Sequence, residues 1–299
     1  MAPETQWLAL ILGGVALAYA AATFVPPIGD AIAVRFARRA GLEPDGEGEV
    51  LRRRVLRRSR AAALGAALGA GAVVAIILGV RAVGLFMLGI FLDGGAVLTG
   101  VLLGAALGGF AGSRAGRPRD TGVRVAPVRT LGLGDYLAPR EALTARLLPA
   151  AAVVLAFVVV IETGAQAFHI PGFPPMWSFF IPAALAVLAA VAFEIVARVI
   201  VAGRALAATD SSLALDAALR AADLRALCLA PVLLGLFGVH IGIMRIIDSF
   251  ARSVPQWTTT ILTSAELLAF GLALVLLLVY ALSVAPRRAR IPRVAVATA

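Results

Sequence analysis

The stretch VLRRRVLRRSRAAALGAALGAGAVVAIILGV covers Val50–Val80. Six arginines fall in its first eleven residues, and the next twenty residues carry no charge. A helix rising about 1.5 Å per residue needs roughly 20 apolar residues to cross a hydrocarbon core of about 30 Å. A basic collar followed by such a run reads as a transmembrane helix leaving the side of the membrane that retains positive charge.

The rest of the chain repeats that grammar. Its 299 residues are 61% hydrophobic and 15% charged, with a mean hydropathy of +0.96. Soluble domains are nearer about 45–50% apolar and about 25% charged, and cannot hide this much apolar surface. Seven uncharged or nearly uncharged runs are long enough to span: 7–25, 61–80, 96–112, 147–168, 178–201, 227–247 and 261–285. The sequence thus predicts an all-α, polytopic helix bundle, a single membrane domain over residues 1–299. Two basic loops, 26–60 and 113–146, and a tail, 286–299, lie between and after the spans.

The arginines sort by side. Of the 27 basic residues, 24 fall in 26–60, in 113–146, around the loop between the fifth and sixth spans, and in the tail. Only Arg81, Arg245 and Arg252 fall on the other side. Positive residues stay cytoplasmic, so the expected topology has the N-terminus outside and the C-terminus inside. The segment Met1–Gln6 has no positive charge and one acid, Glu4, and the basic cluster follows the first apolar run. Both features favour a retained anchor over a cleaved signal peptide. A plasma-membrane location follows as an expectation.

Composition excludes some chemistry. Every basic residue is Arg, and there is no Asn. Without Lys there is no Schiff base to retinal or pyridoxal and no phosphate-loop lysine. Without Asn there is no N-linked glycan. The single cysteine, Cys228, forms no disulfide framework and no thiolate cluster. The basic charge is spread over juxtamembrane loops with no aromatic platform, so no nucleic-acid partner is expected. No cofactor is implied.

Between spans, Gly41–Glu49 reads as a flexible acidic linker. In Val50–Arg60 as a helix, Leu51 and Val55 stack at i, i+4 with arginines around them. Such a helix can lie on anionic headgroups through Arg52, Arg53, Arg54, Arg57 and Arg58, with the lipid bilayer as partner. The plainer reading is a topology signal leading into the second span. Asp210–Ala226 reads as a cytoplasmic helix that runs into the sixth span, with Asp216 and Asp223 flanking Arg220, a surface on which a protein partner could dock. Pro139 suits the first turn of a short helix, and Asp135 and Tyr136 before it have no assigned role.

Gly100, Gly104, Gly108 and Gly112 recur every four residues, and Gly65 and Gly69 answer them with Ala62, Ala66 and Ala70. Small-residue faces let helix backbones approach closely in lipid, so a tight hairpin of the second and third spans is expected. A homodimer face is the alternative.

Ionisable groups inside spans are costly and are functional candidates. The set expected in the outer half is Glu162, His240, Arg245 and Glu266, with His169, Asp93, Arg81 and Asp248 at the rims. Two histidines and carboxylates could relay protons or hold a metal, though no HExxH spacing occurs and no metal site is assigned. The plain alternative pairs Glu162 or Glu266 with Arg245. Glu194 and Arg198 at i, i+4 are expected to neutralise each other. No serine sits in a Gly-x-Ser-x-Gly setting, so no catalytic residue is proposed and no enzyme is expected.

The Arg-rich run before the Ala/Gly hairpin, Leu133–Pro139, and Thr209–Arg220 together resemble multi-span integral membrane proteins of high-GC Gram-positive bacteria. The resemblance covers most of the chain and implies no activity. The reading favoured at this point is a non-enzymatic membrane subunit of a larger assembly. Second stands a small-solute or proton-coupled transporter using the outer-half Glu and His residues, and an intramembrane enzyme comes last.

Overall fold

A computed structural model describes residues 11, 14–15, 17–19, 21–40, 48–82, 90–115, 132–164, 180–202, 210–250 and 254–283. Residues 7–10, 12–13, 16 and 20 of the first expected span, His169, and the tail 286–299 lie outside them. The described residues are helical, joined by turns, with no strand among them. Seven helices have defined bounds: α1 (Pro26–Ala40), α2 (Gly48–Ala82), α3 (Ile90–Ala115), α4 (Pro139–Gly164), α5 (Phe180–Ala202), α6 (Asp210–Phe250) and α7 (Gln256–Ser283). A single 3-10 turn, Leu133–Asp135, precedes α4.

Five helical segments are long and apolar enough to cross a membrane: Glu49–Ile76, Pro139–Glu162, Phe180–Ala202, Ala214–Ile247 and Gln256–Leu277. They contain most of the second, fourth, fifth, sixth and seventh expected spans. The third, 96–112, lies within α3 but is not one of the five.

Two helices, α2 and α4, run further than expected, and α6 runs into the sixth span as expected. The basic run Val50–Arg60 and the apolar run after it form one continuous helix, α2, of 35 residues. Pro139 opens all of α4, not a separate short helix; its missing N–H and fixed φ suit the first turn. Asp210–Ala226 and the sixth span form one 41-residue helix, α6. Residues 26–60, read as a loop, contain α1, which buries Ala33, Ala37 and Ala40 on one face.

The chain divides into two compact units. The first comprises residues 1–139, 195–227 and 284–299, and the second 140–194 and 228–283. In the first, α2 and α3 run antiparallel and glycine meets glycine. A Cβ on Gly65 would stand 2.1 Å from the Gly104 carbonyl oxygen, and one on Gly69 2.0 Å from that of Gly100. Gly108 approaches the Ala61 carbonyl equally closely, and a Cβ on Gly112 would meet Ala61 at 2.7 Å. Only hydrogen fits in such gaps, which is why the four-residue glycine period exists.

The second unit uses glycine differently. Gly235, Gly238 and Gly242 of α6 abut Leu148, Ala152 and Leu155 of α4, so these two helices run parallel. Gly235 sits against Pro149, inside α4, where a Cβ would come within 2.7 Å of the Leu148–Pro149 peptide. Phe157 and Phe180 meet edge to face, with centroids 5.2 Å apart, joining α4 to α5. Helix α7 has no such seam: a Cβ on Gly271 would meet nothing within 4 Å.

Candidate functional site

In the first unit, charge is gathered where α2, α3 and α6 meet. Asp223 Oδ1 accepts from Arg58 Nε at 2.8 Å and from the Ser113 hydroxyl at 3.1 Å. Two helical turns earlier, Asp216 Oδ2 accepts from Arg220 Nε at 2.8 Å, and its other oxygen faces Arg54 at 3.5 Å. Arg220 also donates to the Ile200 carbonyl at 3.1 Å, closing off the end of α5. Asp216, Arg220 and Asp223 are all buried. Buried charges survive only when paired and hydrogen-bonded, and here one i, i+4, i+7 stripe of α6 supplies them.

Tyr136, also buried, shares this neighbourhood. Burial pushes its phenol up from its ordinary range, while the charge and hydrogen bond of Arg220 pull the other way. The turn before it is closed by Asp135, whose carboxylate accepts the Gly132 N–H at 2.7 Å. The two residues left without an assigned role by the sequence therefore close a turn and bury a phenol.

The remaining arginines of the basic run 50–60 also find partners within the chain. Arg52 meets Asp30 and Glu49, and Arg53 meets Glu49 at 2.7 Å. Arg57 donates to the Ala115 carbonyl at 3.0 Å. Arg60 binds both the hydroxyl and the carbonyl of Thr23 and covers the Phe24 ring. Arg54 and Arg58 turn inward to carboxylates, while Arg53 is the most open of the ion-paired arginines, its side chain 75% exposed.

In the second unit, His240 Nδ1 lies 2.6 Å from Glu266 Oε1. The imidazole is buried and stacks on Phe270, with centroids 3.9 Å apart and planes 11° off parallel. Glu266 and Phe270 are i, i+4 on α7, so one face of that helix supplies both contacts. Glu266 Oε2 is buried and accepts no hydrogen bond. A second polar link joins α7 to α4, where the Tyr280 hydroxyl bonds Glu141 Oε1 at 2.5 Å. The Cys228 thiol donates to the Glu141 carbonyl at 3.4 Å.

Of the four residues singled out as a polar intramembrane site, the structure joins His240 and Glu266 directly. Glu162 is half-buried near the end of α4, and Arg245 half-buried on α6, one turn beyond His240. Glu194 differs from expectation: its carboxylate is held by Arg146 of α4 at 2.6 Å, across helices. Arg146 lies on the neighbouring helix and its long side chain reaches that carboxylate, a contact that spacing along α5 could not reveal. The side chains of Arg81, Asp93 and Asp248 lie outside the described ones. Among the described residues no three His, Cys, Asp or Glu side chains gather as a metal centre requires.

Sequence reasoning missed Phe270, Tyr280, Glu141 and Ser113. The i, i+4 spacing of Glu266 and Phe270 was a usable signal. The others pair over more than a hundred residues, and no local pattern marks them. Compared with protein families, curated proteins and solved structures, the chain matches none.

Proposed function

We propose that this chain is a seven-span, multi-pass protein of the bacterial plasma membrane, with its N-terminus outside and its C-terminus in the cytoplasm. We further propose that it is a non-enzymatic, proton-coupled carrier of a small solute. The carrying observation is the His240–Glu266 pair at 2.6 Å, buried between apolar helices with one carboxylate oxygen unbonded. Ionisable groups at membrane depth are costly, and a His–carboxylate pair can take up and release protons.

The side assignment has its own support. The sequence puts 26–60, 113–146 and the loop before the sixth span on one side. Arg58, Ser113 and Asp223 come from those three segments and meet in one cluster. A reading that put any of the three across the bilayer would separate these partners by its whole thickness. Arg53, open at the same end of α2, is the arginine best placed for anionic headgroups.

The subunit reading stands second. It is favoured by α7, whose apolar segment is almost wholly exposed where that of α6 is mostly buried. Leu268, Leu272, Val275, Leu276 and Val279 leave an exposed apolar face there, suited to a partner helix.

Proteoliposomes with an entrapped pH dye and an imposed proton gradient test the carrier reading. Solute-dependent proton uptake should occur with the native chain and fall at least tenfold with His240→Ala or Glu266→Gln. Absence of such uptake across a broad solute panel, with co-purification of a stoichiometric membrane partner, would replace it with the subunit reading.

A further inference from the structure

Buried polar atoms in folded proteins have hydrogen-bond partners, and one that has none marks a place where a partner belongs. In the second unit that atom is Glu266 Oε2, buried and accepting no hydrogen bond. Its position is set by two contacts. Phe270, one turn further along α7, stacks on the His240 ring at 3.9 Å, and that ring holds Oε1 at 2.6 Å. The carboxylate cannot turn its bare oxygen elsewhere without giving up the His240 bond. Phe237 also meets Phe270, so α6 and α7 run antiparallel here. Met244, one turn beyond His240, and Thr263, one turn before Glu266, therefore stand level with each other, both half-buried, on the side of Glu266 away from Phe270. They bring a thioether and a hydroxyl to the same level.

The chemistry of the partner follows from charge. An ionised carboxylate only accepts, so His240 Nδ1 donates, and with a neutral imidazole the pair carries one negative charge. A buried charge survives only when paired and hydrogen-bonded. A proton added to the imidazole goes to its far nitrogen, Nε2; it balances the charge but leaves Oε2 without a donor. Arg245 of α6 and Glu162 of α4, the charged groups nearest in depth, have contacts of their own, and the group bonded to Glu266 is His240. A metal ion needs more ligands than this: among the described residues no three His, Cys, Asp or Glu side chains gather. One N–H of a positively charged group meets both needs, since it donates to Oε2 and supplies the missing charge in a charge-assisted bond.

We infer that Glu266 Oε2 is the recognition point for a small organic cation that carries N–H groups, an alkylammonium or a guanidinium. The burial of His240 and of most of Glu266 restricts the cation to a small one. This inference rests on the carrier reading and names its substrate class.

Carbodiimide labelling of the native chain in nanodiscs tests it, because the reagent adds to membrane-buried carboxyl groups and a bound cation shields them. Peptide mass spectrometry reads Glu266 and Glu162 in one sample, so Glu162, half-buried on α4, serves as the internal standard. Guanidinium chloride is the probe: it stays charged at any working pH and offers N–H donors. With about 20 mM guanidinium against a site of millimolar affinity, labelling of Glu266 should slow about fivefold or more, by the factor 1 + [L]/Kd, while Glu162 is unchanged. Tetramethylammonium, equal in charge but without N–H, and sodium should leave Glu266 labelling unslowed at equal ionic strength. Equal protection by all three salts, or none by guanidinium, overturns the inference. If Glu266 takes no label, thermal unfolding decides: guanidinium should raise the melting temperature above the tetramethylammonium value, and no rise overturns the inference. Proteoliposomes with an entrapped pH dye separate the two readings. Protection without guanidinium-dependent proton movement keeps the cation site and removes the carrier. Proton movement driven by an uncharged solute, without protection, keeps the carrier and removes the cation site.

Discussion

Arg58 and Asp223 stand 165 positions apart in the chain and are joined at 2.8 Å, Nε to Oδ1. Asp223 is buried, and Arg58 is mostly so. The basic collar that marks the start of a span is thus also a structural partner for the start of α6. A surface arginine would contribute little, since exposed pairs are worth about 0–1 kcal/mol. A buried carboxylate stripped of its partner costs far more.

Asp223→Ala should therefore destabilise the protein by about 3–5 kcal/mol, because it strands Arg58 and the Ser113 hydroxyl together. Glu49→Ala, which removes an exposed partner of Arg52 and Arg53, should leave stability unchanged within error. Unfolding in mixed detergent micelles checks both. Equal behaviour of the two variants would show that the cluster is solvated.

Replacing Gly104 or Gly108 with Leu should force α2 and α3 apart, since even a Cβ would sit within 2.1 Å of a carbonyl oxygen of α2. Folded yield should collapse, with the survivors losing upwards of about 1–3 kcal/mol from overpacking. Gly71→Ala, where a Cβ meets nothing within 4 Å, should be neutral or gain up to about 1 kcal/mol from helix propensity. Native melting temperature for Gly104→Leu would show that the stripe faces lipid.

Tyr136 sets a pH dependence. Its folded phenol is raised, chiefly by burial, so the folded state holds the proton more tightly than the unfolded one. The contribution is complete below the unfolded value of about 10 and is lost as pH rises through the folded value. The native chain should lose stability above about pH 10 more steeply than Tyr136→Phe. Parallel curves for the two would mean that the phenol titrates as in water.

Topology reporters fused after Gly46, Gly122, Thr209 and Arg293 should report cytoplasm, and those near Gly172 and Val254 the outside. A cytoplasmic signal at Gly172 would remove the seven-span topology and with it the depth assigned to Glu266.

The two kinds of pattern differ in what the sequence can hold. Long apolar runs, arginine sorting and the four-residue glycine period are local, because a helix crossing lipid must satisfy its own backbone and present a periodic face. They carried the helical class, most of each of the five apolar segments, the one at Phe180–Ala202 nearly to both ends, and the glycine hairpin. Proline at residue 139 marked a helix start, though not that α4 runs 26 residues from there. The run of α6 through its charged stretch into the sixth span was legible, whereas the continuity of α2 through its basic collar was not, since arginines read as surface until something covers them. Only the tertiary structure decided what covers them. Asp216 and Asp223 face Arg54 and Arg58 from across the chain, Glu194 takes Arg146 instead of Arg198, and His240 takes Glu266 rather than Glu266 taking Arg245. Each of those choices depends on helix rotation and on which helices are neighbours. An apolar run specifies depth in the membrane but is nearly silent on rotation, because lipid solvates every apolar face alike.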